Sequence, residues 1–269
     1  MAVAALHSAA TGLSALSTEI DIIANNLANT NTLGFKALRA NFEDLLYQEK
    51  QQPGVENANG DSRPAGLYVG LGTRISNTQF DFRTGSPIST GRDLDMMIQG
   101  RGLFRVDILE EDGGGFAYTR AGNFFVNRDG DVVLGNSDGP RLDPPISIPE
   151  DAEHVDISAD GRIFAILADD TDPDEVGQIQ LSSFVNPNGL RAFGKNLYTE
   201  TAASGPPIEG TPGEGTFGTI LGKHIESSNV DPVNELVSLI KTQRAFEMNS
   251  QTIEAADEAL QVIANLRRF

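Results

Sequence analysis

No cysteine occurs in the 269 residues, which excludes a disulfide framework and a thiolate metal site. That absence does not fix a compartment, although it suits a chain that passes unfolded into an oxidising space. Positive charge is also scarce, with 20 Lys and Arg against 38 Asp and Glu and a net charge of −18. A field of that sign repels nucleic acid and anionic lipid, so nucleic-acid binding is set aside. No run of about 18 apolar residues is present, so no membrane insertion is expected. The first cationic side chain is Lys36, and Glu19 and Asp21 interrupt the apolar stretch before it. A cleavable secretory signal is therefore not expected, and any route out of the cytoplasm must be another one.

What is present sits at the two ends. Leu6, Leu13, Ile20 and Leu27 fall seven apart, with Ala9, Leu16 and Ile23 on a second seam. Leu239, Phe246, Ile253 and Leu260 repeat the same step, flanked by Ala256 and Ile263. This two-seam pattern predicts a pair of coiled-coil-type helices. The first is expected over residues 3 to about 30, roughly 40 Å long at about 1.5 Å per residue. Asn25, Asn26, Asn29, Asn31 and Gly34 signal its end. The last is expected to start at Asp231-Pro232, where Asp caps free N–H groups and Pro suits the first helical position. Arg267 and Arg268 would close it against the helix dipole. Phe42, Leu45 and Leu46 suggest a further helical turn or two between Phe35 and Tyr47.

The middle of the chain is different. The 28 Gly and 13 Pro imply many turns, and from Leu67 the apolar residues alternate. LYVGLGTRISNTQFDF reads as one or two strands with Ile75, Phe80 and Phe82 inward. Short strands follow in DLDMMIQG, GLFRVDIL, FAYTRAG and NFFVNRDGDVVL, and then at 154–158, 162–167 and 178–185. Asp129-Gly130 and Asp160-Gly161 lie between apolar runs and predict hairpins. Residues 201–218, with five Gly and three Pro, read as an extended connector. The expected fold class is therefore α+β. N- and C-terminal helices (1–30 and 231–269) pair as a coiled-coil layer, 31–70 and 201–230 connect, and 71–200 form an outer all-β domain. The segment QQPGVENANGDSRPAG at 51–66 has almost nothing to bury and reads alone as a loop.

Catalytic and metal chemistry find little support. His7, His154 and His224 are scattered and show no His-x-x-x-His spacing. Gly70-Leu71-Gly72 and Gly100-Arg101-Gly102 lack a third Gly and precede strands, so they read as turns rather than phosphate loops. Glu110-Glu111-Asp112 reads as a solvated hairpin tip. The acidic run from Asp169 to Glu175 lacks the central Gly and closing Glu of an EF-hand and reads as a solvated turn, with weak calcium binding as the alternative.

The run Ala24-Asn25-Asn26-Leu27-Ala28-Asn29-Thr30-Asn31-Thr32-Leu33-Gly34-Phe35-Lys36 resembles the ANNLANxxTxGFK signature of the bacterial flagellar rod and hook axial proteins. Ser228-Asn229-Val230-Asp231, Glu235-Leu236-Val237 and Thr242-Gln243-Arg244-Ala245-Phe246-Glu247 are similar to that family's closing helix. The stretches NFEDLLYQ (41–48), GLYVGLGTR (66–74) and NLYTET (196–201) leading into Gly213 look like its distal-rod members. The resemblance spans essentially the whole chain. Leu103 departs from it, standing where relatives usually carry an aromatic, and so does the long acidic stretch 169–175.

The resemblance implies a structural, non-enzymatic subunit without cofactors or metals. Many copies would form a hollow helical shaft carrying torque from motor to hook, with both terminal helices lining its inner tube. The implied partners are itself, proximal rod proteins, the hook protein, the surrounding ring proteins and the flagellar export apparatus. The implied location is the basal body across the periplasm. Residues 51–66 would brace neighbouring subunits and keep the rod straight. Leu6, Leu13, Leu16, Ile20, Ile23, Asn25, Asn26, Leu27, Asn29, Phe35, Leu239, Phe246, Ile253, Leu260 and Ile263 are the candidate subunit contacts. For Asn25, Asn26 and Asn29 two readings stand: caps of a helix end, or hydrogen bonds between subunits that fix axial register. Burying four Leu or Ile, at about 1.5–3 kcal/mol each, falls short of ordering some 25 residues at about 1–2 kcal/mol each. Both ends are thus expected to order fully only on assembly. The alternatives are a proximal rod or hook subunit, a secreted β-rich binding domain or, last, a soluble enzyme.

Overall fold

The computed structural model describes residues 2–54, 64–108, 115–167 and 173–266. Two long helices bracket the chain, α1 (Ala2–Ala28) and α2 (Pro232–Leu266), with short strands between them. The architecture is α+β. The chain divides into two compact units, one of Met1–Leu27, Leu38–Gln79 and Asp231–Phe269, the other of Ala28–Ala37 and Phe80–Val230. It therefore passes from one unit to the other at 27/28, 37/38, 79/80 and 230/231.

In the first unit α2 starts as its sequence dictates. Asp231 Oδ1 accepts from the amides of Val233 (3.0 Å) and Asn234 (3.2 Å), two of the N–H groups a helix start leaves without partners. Arg267 and Arg268 lie outside the described residues. The expected helical turns between Phe35 and Tyr47 are not formed. Residues Leu38–Asp44 and Tyr47–Gln51 are strands, pairing with Thr73–Phe80 and Leu67–Gly70 respectively. Three apolar side chains at helical spacing are too weak a signal to resist strand partners supplied from 30 residues away. The Tyr47–Gln51 and Leu67–Gly70 ribbon is exposed along almost its whole length, including Leu46, which is 82% exposed.

The second unit is almost entirely antiparallel β. Its largest sheet contains nine strands among the described residues, with Leu103–Ile108 paired to Gly115–Thr119, Arg141–Asp143 and Leu181–Ser183. Phe104, Val106 and Ile108 are buried while Asp107 is exposed, the period-two alternation of a sheet with one face on the core. Phe104 meets Phe124 edge to face at 5.3 Å. Leu103 points the other way, into a smaller cluster with Tyr118, Phe184, Leu190 and Tyr198. Phe80 and Phe82 pack against that cluster, and burial pushes the Tyr198 phenol up to about 12. A separate three-stranded sheet joins Ala152–Ile157, Arg162–Leu167 and Asp174–Gln178.

Both expected hairpins form. Around Asp129-Gly130, Val126 lies opposite Val132, Gly130 takes φ +87°, and Asn127 Oδ1 accepts from the amides of Asp129 and Asp131. Around Asp160-Gly161, Ile157 lies opposite Ile163. The single strand expected at 178–185 is instead two, Asp174–Gln178 and Leu181–Ser183. Ile179 turns its amide to Gly161 and buries its side chain between them. Residues 201–218 are more than a connector: Ile208–Gly210 forms a strand against Leu181–Ser183. The Glu110–Asp112 tip and most of the acidic run lie outside the described residues.

Phe104 is fully buried at the centre of this unit. Replacing it with Ala should cost about 3–5 kcal/mol through lost transfer energy and the cavity left behind. Chemical denaturation followed by near-ultraviolet circular dichroism will show this as a lower midpoint.

Candidate functional site

The α1 face that is most deeply buried is not the leucine row. Ala9, Gly12, Ala15, Ile23 and Asn26 are buried, whereas Leu6, Leu13, Leu16, Ile20 and Leu27 are only half-buried. Two contacts tie α1 to α2 within their unit. A side chain at Gly12 would stand 3.2 Å from the Asn249 amide, and Asn26 Nδ2 donates to Glu235 Oε1 at 3.4 Å. The two levels are 14 residues apart on each helix and run in opposite senses, so the helices are antiparallel. Small residues allow this close approach. Ser8 and Thr11 on α1 also meet the strands, Ser8 donating to Gly70 O and Thr11 accepting from the Thr73 amide.

On α2 the half-buried or buried positions are Glu235, Ser238, Leu239, Thr242, Ala245, Phe246, Asn249, Ser250, Ile253, Ala256 and Leu260, a stripe of helical period. Leu239, Phe246, Ile253 and Leu260 thus share one face with polar Thr242 and Asn249. The Ile263 side chain lies outside the described residues. A second apolar row was missed by counting sevens: Val233 (69% exposed), Leu236, Val237 and Ile240, spaced i, i+3, i+4, i+7, with Met248 beyond. These face away from the stripe that packs inside the chain.

The Asn-rich end of α1 is committed to intrachain work. Asn26 is buried; its Oδ1 accepts from the Leu38 amide at 2.9 Å and its Nδ2 donates to Leu38 O at 2.8 Å. The side-chain amide therefore replaces a strand partner for Leu38. Asn29 Oδ1 accepts from the Thr32 hydroxyl at 3.0 Å, and Asn25 is exposed on α1. Burial pushes the Glu235 carboxyl up, while its bond from Asn26 opposes that shift.

On the other side of the 37/38 crossing, in the β-rich unit, Asn229 has the matching role. Its Oδ1 accepts from the Ala37 amide at 2.8 Å, and its Nδ2 donates to Asp81 O (2.6 Å) and Arg83 O (3.2 Å). Half-buried Phe35 accepts from the Asn229 amide through its carbonyl. Next to it lies a buried charge cluster that composition and spacing did not signal. Lys36 Nζ donates to Glu226 Oε1 (2.6 Å) and Arg83 O (2.7 Å), and Arg120 Nε donates to Glu226 Oε2 (2.9 Å). All three side chains are at most 3% exposed. Arg120 further donates to the carbonyls of Ile98, Gly100 and Gly102 and to the Thr84 hydroxyl. Burial pushes the Lys36 ammonium below its ordinary value, with Glu226 pulling the other way. Gly34, at φ +65°, lies so close to the Arg120–Ala121 backbone that any Cβ would stand 2.6 Å from it.

None of this is reaction chemistry. Among the described residues no group of three or more His, Cys, Asp or Glu could hold a metal ion, and no helix is long and apolar enough to cross a membrane. The features are those of a protein that presents helical faces and anchors its connections.

Comparison with known proteins gives the same reading from another side. The family described as flagella basal body rod protein matches residues 6–36, the flagellar hook protein FlgE/F/G D1 domain matches 97–165, and the C-terminal family of the flagellar basal body rod FlgEFG proteins matches 222–266. The chain belongs to the flagellar basal-body rod proteins, a structural and non-enzymatic family. Within it, the chain is 43% identical over 98% of its length to the flagellar basal-body rod protein FlgG of Caulobacter vibrioides, covering 99% of that protein. It is 40% identical to FlgG of Borreliella burgdorferi and 37% identical to FlgG of Bacillus subtilis, in both cases over 98% of each chain. The protein is accordingly a structural rod subunit of the flagellum.

Asn26→Ala would strip Leu38 of both backbone partners, a loss of about 1–3 kcal/mol. Hydrogen exchange should show the Leu38 amide opening about tenfold faster or more, with Ala117 and Tyr118 unchanged.

Proposed function

We propose that this subunit stacks helically with copies of itself into the hollow distal rod, and that the shaft transmits torque from motor to hook. The terminal helices form its inner coiled-coil layer and residues 71–200 face outward, joined by 31–70 and 201–230. Supporting this are the half-open rows Leu6, Leu13, Ile20, Leu27 and Leu239, Phe246, Ile253, Leu260. These rows flank the small-residue contact rather than filling it. Leu16, Ile23, Phe35 and Ile263 belong to the same surface. Asn25 and Asn29 contribute its polar contacts, while Asn26 holds the strand that follows.

The observation that carries the reading is the second row on α2. Four large apolar side chains in helical register lie open to water on a family member whose relatives are rod proteins. With 44–69% of each still exposed, moving the remainder out of water contributes roughly half of the about 1.5–3 kcal/mol of full burial, which in sum favours a helix of a neighbouring copy. The same arithmetic favours ends that order fully on incorporation, because one small-residue contact buries little. Partners beyond itself are proximal rod proteins, the hook protein, the surrounding rings and the flagellar export apparatus. The shaft spans the periplasm. Torque transmission needs wide, repeated contact and no reactive group.

Residues 51–66 leave the exposed ribbon Tyr47–Gln51 and Leu67–Gly70, an isolated two-stranded element that is marginal in water alone. Its open Leu46, Tyr47, Leu67 and Tyr68 suit it to lie against a neighbour, and the segment braces the shaft against bending. Polymers of a protein deleted for 51–66 should curve in electron micrographs; straight ones of ordinary stiffness would remove this role.

Val237→Asp with Ile240→Asp tests the main reading, since both positions are open in the single chain. Seeded polymerisation should fail or need at least about tenfold more protein, while thermal unfolding of the β-rich unit stays put. Polymer growth at the ordinary concentration would refute the reading.

A further inference from the structure

The segment 33–37, with Gly34 and Lys36 buried, is held by hydrogen bonds from residues distant in sequence. Leu33 O accepts from Asn196 Nδ2, and the Ala37 carbonyl accepts from the Asp81 amide. The Phe35 amide donates to Thr32 O and Lys36 Nζ to Arg83 O, and four further ties run to one short stretch, 226–229. The Gly34 amide donates to Glu226 O, Phe35 O accepts from the Asn229 amide, Lys36 Nζ donates to the Glu226 carboxylate, and the Ala37 amide donates to Asn229 Oδ1. Glu226 in turn depends on what it meets: Oε1 accepts from both Lys36 and the Gly85 amide, and Oε2 accepts from Arg120.

Two buried cations share this single carboxylate. Arg120 also has four neutral acceptors, but Lys36 has one other, Arg83 O. A buried ammonium without its counter-charge is strongly disfavoured, so Lys36 stays inside only while Glu226 is there. The reverse holds less strictly, since Arg120 and Gly85 hold Glu226 whether or not Lys36 arrives. The closure is therefore ordered: 226–229, joined to Pro87–Ser89 through the strand His224–Glu226 and held at Arg120, is the ground on which 33–37 docks.

We propose that Glu226 and Asn229 form a latch that closes residues 33–37 onto the β-rich unit, so that loosening of 226–229, at the connection to α2, also releases 33–37, at the connection to α1. The two segments lie 190 residues apart in sequence, yet each immediately adjoins a crossing between units, 37/38 and 230/231. Slack at 226–229 is transmitted to 33–37 through one carboxylate and one amide. Glu226 and Asn229 act here as positioning residues for both ends of the chain. The inference rests on contacts inside the single chain and does not require the assembly reading.

Hydrogen exchange on the full-length monomer tests it. In Glu226→Gln, which leaves two buried cations unpaired, amides at 34–37 and 227–229 should exchange together, about a hundredfold faster. Amides at 104–108 and 116–119 should keep their protection. Asn229→Ala leaves no charge unpaired and guards against a variant that does not fold; it should open the same two segments together by about tenfold. Lys36→Met, with Arg120 and Gly85 still on Glu226, should open 34–37 and leave 227–229 protected. The latch is overturned if Glu226→Gln leaves 34–37 protected or Asn229→Ala opens 226–229 alone. It is also overturned if the loss spreads evenly to 104–108 and 116–119.

Discussion

The pairing of two buried cations with the one Glu226 carboxylate is the constraint on which the connections of this chain depend. Removing charge from water is tolerable only with a partner and with every remaining donor satisfied. Here the Lys36, Arg120 and Glu226 side chains have six backbone or hydroxyl partners besides each other. That arrangement fixes where residues 33–37 can lie, which places Ala37 against Asn229 and starts the strand at Leu38. Asn26 then takes over, presenting an amide to Leu38 where a neighbouring strand would otherwise be. Two asparagines and one carboxylate thus do locally what a larger hydrophobic contact would do elsewhere.

The β-rich unit supplies the rigid ground for this cluster. Arg120 follows directly on Thr119, the end of a strand locked between Leu103–Ile108 and Leu197–Thr199, and its side chain gathers the carbonyls of Ile98, Gly100 and Gly102. The glycines at 100 and 102, which might suggest a phosphate loop, instead turn their carbonyls toward a guanidinium. The site built there is an anchor, and its polarity is directed inward. The outward polarity of the protein, by contrast, is the surplus of carboxylates, spread over a surface that keeps a concentrated structural protein soluble.

Much of the fold was legible. The heptad-like spacing and the Asp231-Pro232 start located both helices, because helix ends carry strong local chemistry. Asp129-Gly130 and Asp160-Gly161 located two hairpins for the same reason. The strand at Leu38–Asp44 was not legible, since Phe42, Leu45 and Leu46 fit either period and a distant partner decides between them. Counting large apolar residues also passed over Gly12, where α1 meets Asn249 of α2, and its signal is an absence of side chain that hydrophobic periodicity weighs lightly. Val233, Leu236, Val237 and Ile240 form a row of their own that the sevenfold count passed over. Glu226 had no legible signal at all: it is one acid among 38, and only the fold brings Lys36 to it.

One consequence follows from the way the helical unit is pieced together from three separate stretches of sequence. Bringing Asn26 to Glu235 in a featureless chain means closing a loop of 209 residues, an entropic barrier of about 5 kcal/mol. The β-rich unit closes loops nearly as long, since Pro87–Ser89 pairs with His224–Glu226 and Met96–Gln99 with Thr219–Gly222, but the short hairpins between them can close first and shorten the path. Once it has formed, residues 37 and 231 are already near one another's anchors and the long loop is shortened to a few residues. The order of folding is thereby written into the order of the sequence, with the middle of the chain maturing first and the two ends waiting for it.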